Sequence, residues 1–340
     1  MTDATTSPPR VAIVVPCYNE QAALPATAEV LDQLLTSLES SGAAAAGSTL
    51  CFVDDGSRDA TWQLITELSG GKSSVTGLKL SRNFGHQGAV LAGLLECDAD
   101  VIITIDADLQ QDPQAIADML QKYGEGFDLV LGVSADRSSD SFGKRVTAEC
   151  YYRLMRMLGV NIVFNHADYR LMSRRAVEML REYSETNLFL RGIVTLLGLK
   201  STIVKYERRA RTAGSSKYPV RKMLSLAWEG ITSFSIVPLR IVSVIGLVIS
   251  LLSLAVTVYA LYVRLVRGDF VPGWASTVVP MYFLGGIQIL CLGVIGEYIG
   301  KLYLEAKRRP RYLVETVLGS KSREPGAGRI SPERPKPLQA

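Results

Sequence analysis

The chain of 340 residues carries a formal net charge of +4 at pH 7, and 48% of its residues are hydrophobic. This length has room for one full α/β domain and a smaller part, and the apolar excess, concentrated after Pro238, is high for a wholly soluble protein. The five cysteines form no Cys-x-x-Cys pair, which indicates reduced structural thiols rather than a disulfide framework or a zinc site. The polar N-terminus is not typical of a signal peptide, so any membrane crossing is expected later in the chain.

The first 133 residues alternate between short runs of β-branched residues and longer runs with apolar residues at helical spacing. This alternation predicts the βαβ order of a doubly wound α/β sheet. The predicted strands are 11–15, 50–53, 75–80, 101–105 and 129–131, and the predicted helices are 21–39, 60–68, 87–95 and 113–123.

A polar motif directly follows each of the first four predicted strands. Because the carboxyl ends of parallel strands meet at one edge of a sheet, these four loops are expected to build one ligand site. The chain has neither the Gly-x-Gly-x-x-Gly of a dinucleotide fold nor the full Gly-x-x-x-x-Gly-Lys-Ser/Thr motif of a P-loop, and acidic groups instead favour hydrogen bonds to a base and a ribose. The motifs are Pro-Cys-Tyr-Asn-Glu (16–20), Asp-Asp-Gly-Ser (54–57), Ser-Arg-Asn-Phe-Gly-His (81–86) and Asp-Ala-Asp (106–108).

The fourth predicted strand ends in two carboxylates spaced one residue apart, Asp106 and Asp108. The period of two along a strand places both on one side, with Gln110 in phase behind them. Oxygen ligands in this arrangement suit a divalent cation that is shared with a substrate diphosphate. The alternative is a helix-capping turn, because Asp112 and Pro113 also make a good helix start.

Two uncharged stretches, 241–263 and 270–296, follow in the C-terminal part. A helix of the first length spans roughly 35 Å at 1.5 Å per residue, enough for the ~30 Å hydrocarbon core of a bilayer. Basic residues precede the first stretch and follow the second, so both ends are expected on the cytoplasmic side of the plasma membrane. A pair of buried helices in a soluble core is the alternative.

The segment between the sheet domain and these stretches is basic and amphipathic. Residues 220–237 carry apolar side chains at helical spacing, which is typical of a helix lying in the membrane interface. Packing of that helix against the catalytic domain is the alternative. The basic stretch 205–222 either anchors the domain to anionic lipid or supplies cations for an acceptor phosphate.

Taken together, these motifs resemble glycosyltransferase family 2, and more narrowly its polyprenyl-phosphate glycosyltransferases. Bactoprenol glucosyltransferases are the branch that fits best, and dolichol-phosphate mannose synthase is a more distant one. The resemblance covers nearly the whole chain and implies an α/β, GT-A type (Rossmann-like) nucleotide-sugar-binding domain, followed by interfacial helices and two transmembrane helices. It rests on Val-Pro-Cys-Tyr-Asn-Glu (15–20), Val-Asp-Asp-Gly-Ser-Arg-Asp-Ala-Thr (53–61), Arg-Asn-Phe-Gly-His-Gln (82–87) and Asp-Ala-Asp-Leu-Gln-Gln-Asp-Pro (106–113).

The resemblance also implies roles for individual residues. Asp168-Tyr169-Arg170 resembles the family's Asp-Phe-Arg near the acceptor side, and Arg211 to Lys217 resembles its Arg-x-x-Gly-x-Ser-Lys motif. The implied nucleotide-sugar contacts are Pro16, Tyr18, Glu20, Asp55, Asp106 and Ala107, and the metal contacts are Asp106, Asp108 and Gln110. The implied catalytic residues are Asp108, Asp168, Arg211 and Lys217, and the acceptor-phosphate contacts are Arg137, Arg211, Ser216 and Lys217.

The two histidines, His86 and His166, are expected to be structural, because no second ligand lies at metal spacing. The predicted organisation is a flexible N-terminus (1–9), a cytosolic GT-A domain (10–217), an interfacial amphipathic helix (218–237), a two-helix transmembrane domain (238–300) and a basic cytosolic tail (301–340) that is mobile from Leu313.

The implied reaction is inverting transfer of a sugar from a nucleotide sugar to a polyprenyl phosphate on the cytoplasmic membrane face, with Mg²⁺ or Mn²⁺ as the cofactor. A UDP donor carrying glucose is expected first, with N-acetylated and mannosyl donors behind it. Nucleic acid is not an expected partner, and a homo-oligomer stays open. Two alternatives also stay open: a processive polysaccharide synthase, and a non-catalytic nucleotide-binding membrane scaffold.

Overall fold

The computed structural model describes residues 7–134, 166–185, 190–207, 237–262 and 273–319, and the chain divides into two compact units. The first unit comprises the residues up to Leu109 together with the segment from Tyr312, and the second runs from Gln110 to Arg311. In the described residues the strands are β1 (Val11–Cys17), β2 (Thr49–Asp54), β3 (Val75–Leu80), β4 (Val101–Thr104), β5 (Leu129–Ser134), β6 (His166–Ser173), β7 (Ser201–Tyr206) and β8 (Val314–Leu318). The helices are α1 (Leu24–Ser40), α2 (Thr61–Gly71), α3 (His86–Glu96), α4 (Ala115–Gly124), α5 (Arg174–Arg181), α6 (Leu190–Leu196), α7 (Val237–Tyr262) and α8 (Trp274–Ala306).

The sheet of the first unit has the spatial order β4-β1-β2-β3-β8. The first four of these strands pair in parallel, and β8 closes the edge antiparallel to β3. All seven residues of β1 are buried, as expected for a central strand covered on both faces. The carboxyl ends of β1 to β4 therefore lie at one edge, called the rim below, where the four polar motifs follow.

Helices cover both faces of this sheet. A Cβ on Gly93 of α3 would lie 2.2 Å from a Val14 methyl, so α3 packs closely on the face that carries Val14 and Val53. A Cβ on Gly77 of β3 would lie 2.8 Å from Ile65 of α2, which packs on the opposite face. Small residues at these points let the helices approach the strands, and the two helices position the loops that precede them at the rim.

The second unit contains a smaller mixed sheet in the order β7-β5-β6. Strand β5 pairs in parallel with β7 and antiparallel with β6. Gly132 of β5 leaves room for Tyr169 of β6, because a Cβ there would lie 2.8 Å from the tyrosine ring. Mixed α/β architecture is thus present in both units, and the strands and helices predicted for residues 11–131 are confirmed, with ends shifted by a few residues.

Two long apolar helices follow in the second unit and contact each other. At 1.5 Å per residue, α7 is about 39 Å long and α8 about 50 Å long. Within the described residues, the stretch Phe283–Ala306 is long and apolar enough to cross a membrane, and Val237–Ile249 is a shorter apolar stretch. The predicted interfacial helix at 218–237 lies, but for its last residue, outside the described residues.

The segment after α8 differs from the prediction. A mobile tail from Leu313 was expected, but Val314–Leu318 forms strand β8 on the edge of the first sheet. Glu315 forms an ion pair with Lys79 at 3.2 Å, and the Tyr312 hydroxyl donates to Glu96 at 2.7 Å. The expectation is therefore wrong for these residues. The segment alternates in exposure and pairs with the edge strand β3, which is so distant in the chain that the local sequence does not reveal the pairing.

Candidate active site

The end of β1 and the loop after it bring three predicted nucleotide contacts to the rim. Pro16 is buried, Tyr18 is 42% exposed and Glu20 is half-buried. Asn19 has a positive φ of 55°, which turns the chain sharply at the end of the strand. The backbone N–H of Asn19 donates to the Ser57 hydroxyl at 3.0 Å, so the loop after β1 is fastened to the loop after β2.

The loop after β2 is fastened in turn to the loop after β3. Asp55 is 2% exposed, and its Oδ1 accepts a hydrogen bond from the Phe84 amide at 2.7 Å. Gly56 has a φ of +66°, and a Cβ there would lie 2.6 Å from the carbonyl carbon of Arg82. Because this contact is with backbone, the two loops approach each other at a distance that only glycine allows.

Two adjacent carboxyl groups are buried at the end of β2. Burial raises the pKa of Asp54 above its usual range, while hydrogen bonds from Ser57 oppose that shift. Burial likewise raises the pKa of Asp55, against the amides of Phe84 and Gly85. Asp54 Oδ2 has no hydrogen-bond partner in the described part of the chain. Both carboxyl groups are therefore dry, and Asp54 Oδ2 is a buried polar atom that its surroundings leave unsatisfied.

The loop after β3 places an exposed cation at the same rim. The Arg82 guanidinium lies 4.1 Å from the centroid of the Phe84 ring, which holds it by a cation–π contact. The Gly85 amide donates to the Asn83 side chain at 3.1 Å, and α3 begins at the next residue. Arg82 was not among the ligand contacts predicted from the sequence.

The Asp106–Asp108 motif lies at the rim in a turn rather than in a strand. Strand β4 ends at Thr104, and Leu109 adopts a positive φ of 49°. The Thr27 hydroxyl of α1 donates to the Ala107 carbonyl at 2.6 Å and so ties the turn to α1. The strand period of two therefore does not apply to Asp106 and Asp108, because the pairing of β4 with β1 stops before these carboxylates.

His86 lies beside this turn. Its Nε2 is 3.6 Å from Oδ1 of Asp106, and the two side chains are 45% and 37% exposed. His86 was predicted to be structural, yet the fold brings it to the predicted metal-binding motif. The signal was present in the sequence, because the motif that contains His86 follows a strand whose end meets the same rim.

The donor set of Asp106 and Asp108 fits a divalent cation that also binds a substrate diphosphate. Mg²⁺ is held in enzymes by one or two carboxylates together with phosphate oxygens and water, rather than by a complete protein cage. No group of three or more His, Cys, Asp or Glu side chains converges within the part of the chain that the structure describes. Asp106 and Asp108 are two carboxylates of one turn, the number that such a shared site takes from the protein.

The remaining described site residues belong to the second unit. Gln110, the third predicted metal contact, is 6% exposed at the start of that unit. Asp168 on β6 is 6% exposed and forms an ion pair with Arg170, which is fully buried. Both residues of this pair come from one strand, at positions i and i+2. Arg137, Arg211, Ser216 and Lys217 lie outside the described residues, as does the whole motif Arg211 to Lys217 that supplies three of them.

Contacts that no sequence pattern indicated hold this geometry. Thr27 and Ala107 are 80 positions apart, and Phe84 and Asp55 are 29 positions apart. Neither Thr27 nor the Phe84 amide carries a local signal, because each acts through the close packing of two elements. The buried partner of Asp168, Arg170, had a signal in its spacing of two along a strand.

Residues 12–181 match the family Glycosyl transferase family 2, and residues 237–302 match the family GtrB C-terminal hairpin. A relative from Bacillus subtilis (strain 168), the uncharacterized glycosyltransferase YkoT, is 46% identical over 94% of this chain and 95% of its own length. The prophage bactoprenol glucosyl transferase homolog of Escherichia coli (strain K12) is 40% identical over 91% of this chain and 99% of its own.

One similar solved structure is a mannosyltransferase, PcManGT from Pyrobaculum calidifontis, in complex with GDP-Man and Mn²⁺. It is 13% identical, covers 86% of this chain and 88% of its own, and gives a TM-score of 0.43. A likeness at this level has no bearing on the substrate.

Proposed function

The chain belongs to glycosyltransferase family 2 and is a glycosyltransferase, and from this premise we propose that it transfers glucose from UDP-glucose to a polyprenyl phosphate. The product would be a polyprenyl-phosphate sugar on the cytoplasmic face of the plasma membrane. Homology over nearly the full length carries this proposal: the Escherichia coli relative named as a bactoprenol glucosyl transferase homolog aligns over 99% of its own length. The match of residues 237–302 to the GtrB C-terminal hairpin supports a lipid-linked acceptor.

The donor half of the proposal rests on the rim of the first unit. Buried Asp55 and exposed Tyr18 suit a base and a ribose, since one offers a carboxyl oxygen in a dry position and the other an aromatic face. Pro16, Glu20 and Ala107 complete the contacts proposed for the nucleotide sugar. Asp106, Asp108 and Gln110 would hold the divalent cation. When bound, the cation neutralises charge on the leaving diphosphate.

The acceptor half follows from phosphate chemistry. A phosphate monoester has a second pKa near ~6, so at neutral pH the attacking oxygen is largely ionised before it meets the enzyme. The lipid phosphate oxygen would attack the anomeric carbon while the bond from that carbon to the nucleoside diphosphate breaks, and the diphosphate leaves with the electron pair. A single in-line displacement inverts the anomeric centre.

The chain's own task in this reaction is to bring two anions together. We assign acceptor-phosphate contacts to Arg137, Arg211, Ser216 and Lys217, because cationic donors offset the repulsion between acceptor and donor phosphates. Asp168 is assigned to the acceptor side. The charged contacts proposed for the donor are thus carboxylates, whereas those proposed for the acceptor side are three cations and Asp168.

We propose that α7 and α8 both cross the membrane and that the catalytic part and both termini are cytoplasmic. Each helix exceeds the ~30 Å of a hydrocarbon core at 1.5 Å per residue. Lys301, Lys307 and Arg308 at the end of α8 follow the positive-inside rule. The proposed partners are therefore a nucleotide sugar, a polyprenyl phosphate and the membrane.

The test is transfer of radiolabel from a panel of UDP- and GDP-sugars into an organic-extractable product. Purified full-length protein in detergent is assayed with undecaprenyl phosphate and either Mg²⁺ or Mn²⁺. The expected result is labelling from UDP-glucose that a chelator abolishes. Chemical assignment of the product anomer then tests inversion.

Two other outcomes have distinct meanings. Labelling of the lipid from a different donor would support the proposed acceptor and show that the transferred sugar is not glucose. If no donor labels the lipid while a nucleotide sugar is still bound or hydrolysed, the acceptor is wrong, and a processive synthase or a nucleotide-binding scaffold becomes the better description.

A further inference from the structure

The strand that carries Asp168 presents two unlike faces. Side chains alternate along a strand, so Asp168 and Arg170 share one face and Tyr169 projects from the other. The Tyr169 hydroxyl donates to the Asp112 carbonyl at 2.9 Å, and its ring meets the Tyr206 ring edge-on at a centroid distance of 5.3 Å. These contacts fix β6 from the Tyr169 side and leave the opposite face to the charged pair.

The charged pair is direct and buried. Nη2 of Arg170 donates to Oδ1 of Asp168, and the exposed fractions of the two side chains are 0% and 6%. The carboxylate is therefore the member nearer the surface, and the guanidinium lies behind it.

A pair buried to this degree is a poor device for stability alone. Desolvation of two ions offsets much of their attraction, and an apolar pair of similar volume often stabilises a fold as well or better. Loss of one partner is costly, because the other charge is then buried without compensation. The pair is better explained as a means of keeping one carboxylate charged and fixed inside an apolar sheet.

The geometry points to Arg170 as a positioning residue for the transfer reaction, one that holds the Asp168 carboxylate in a single orientation at the acceptor side. This inference rests on the proposed function, since it takes Asp168 to act in transfer. Arg170 itself is fully buried and acts through Asp168. A guanidinium is suited to this role, because its planar fork of donors matches a carboxylate better than an ammonium does.

The experiment compares wild-type protein with Asp168→Asn, Arg170→Met, Arg170→Lys and the double variant Asp168→Asn/Arg170→Met. For each, kcat and KM for labelled glucosyl transfer are measured in detergent, together with the Kd for UDP and the thermal unfolding midpoint. Tyr169→Phe is the matched control, because it removes a hydrogen bond from the other face of the same strand.

We expect Asp168→Asn and Arg170→Met each to lower kcat by about 10- to 100-fold, the range for a lost charge-assisted hydrogen bond. The double variant should be no worse than either single variant, since residues that act as one unit are not additive. Arg170→Lys should fall between wild type and Arg170→Met. The Kd for UDP should change less than about twofold, because the donor rim lies on other elements, and Tyr169→Phe should keep wild-type kcat.

Several results would overturn the inference. Multiplicative losses in the double variant, wild-type kcat in Arg170→Met, or losses that follow the unfolding midpoint across all variants would each do so. If Arg170→Met does not fold, Arg170→Lys decides: lowered kcat with unchanged UDP binding supports the inference, and wild-type kcat refutes it. Absence of transfer by the wild-type protein would refute the proposed function instead, so the two failures are distinguishable.

Discussion

Asp55 at the rim of the first unit and Asp168 on β6 of the second unit are carboxylates held by different contacts. In the first unit, Asp55 is fixed by the Phe84 amide and by a glycine that lets two loops meet backbone to backbone. In the second unit, Asp168 is fixed by the side chain of Arg170. The position of Asp55 should tolerate substitution of neighbouring side chains but not a displacement of the loop backbone. The position of Asp168 should instead be lost when Arg170 is replaced.

The degree of exposure also separates the Asp106 turn from Asp168. Asp106 is 37% exposed beside His86, as suits a group that shares a cation with a soluble substrate. Asp168 is 6% exposed, as suits a group that acts in a dry environment. The turn that carries Asp106 is thus open to a hydrated ligand, while the Asp168 carboxylate is buried in an ion pair with Arg170.

The largest expected effect comes from Asp108→Asn, which tests whether the exposed turn carries the cation chemistry. Loss of one charged group that stabilises a developing anion commonly costs about 100- to 1,000-fold in kcat. The glucosyl-transfer assay at saturating Mg²⁺ measures this loss. Asp98→Asn is the matched control, because that carboxylate precedes β4 at the opposite end of the strand and is 76% exposed.

Retention of metal-dependent transfer by Asp108→Asn would place the cation elsewhere. Equal losses in Asp98→Asn and Asp108→Asn would show a general effect of charge and would remove the special status of the turn.

Gly56→Ala tests the backbone contact of the donor rim. Its φ of +66° and the 2.6 Å approach to Arg82 predict a loss of about 2–3 kcal/mol in the free energy of unfolding. Gly42→Ala is the control, because Gly42 has a similar φ of +74° and open space around it. Chemical denaturation of both variants separates the strain of φ from the clash, and equal losses would argue against a tight contact between the loops.

Asp55→Asn changes the ligand group while keeping the loop. The amide oxygen can still accept from Phe84, so the unfolding midpoint should stay near that of the wild type. Loss of a charged acceptor for the nucleotide should raise KM for the donor about tenfold and leave kcat nearly unchanged. A Kd for UDP equal to that of the wild type would remove Asp55 from the nucleotide site.

Asp54→Asn gives the smallest effect, and one that depends on pH. Burial raises the pKa of Asp54, so the native state holds the proton more tightly than the unfolded chain does. The stability that this provides is present below the unfolded pKa of about 3.9 and is lost as the pH rises through the raised native pKa. The variant avoids this loss, so its unfolding midpoint should be about 2 °C higher at pH 7.

The gain should shrink as the pH falls toward 4, because the carboxyl of the wild type is then protonated in both states. A midpoint that is lower than that of the wild type at pH 7 would show that the ionised carboxylate is stabilising, against the direction of the pKa shift.

The elements of the first unit were predictable because each carries its own local signal. β1 is a continuous apolar run that is buried along its whole length, and the run of apolar and polar residues in α1 follows the helical period, with Pro25 in its first turn. Strand β8 was not predictable, because its pairing partner β3 lies more than 230 residues earlier in the chain. The Asp106–Asp108 turn was misread, since its shape depends on where pairing with β1 stops.

The sequence by itself determined which residues gather at the rim. The alternation of strand and helix patterns predicts parallel pairing, and the polar motifs that follow the strands then meet at the carboxyl ends. It also determined the family, because residues 12–181 match Glycosyl transferase family 2.

Only the tertiary structure decided how those residues are held. The Thr27 contact with Ala107, the backbone approach at Gly56 and the return of β8 to the sheet each join segments that are distant in the chain. Such contacts depend on the distance between packed elements, which no local pattern of residues encodes. Loop geometry at the rim is therefore a property of packing, while the identity of the rim residues is a property of the sequence.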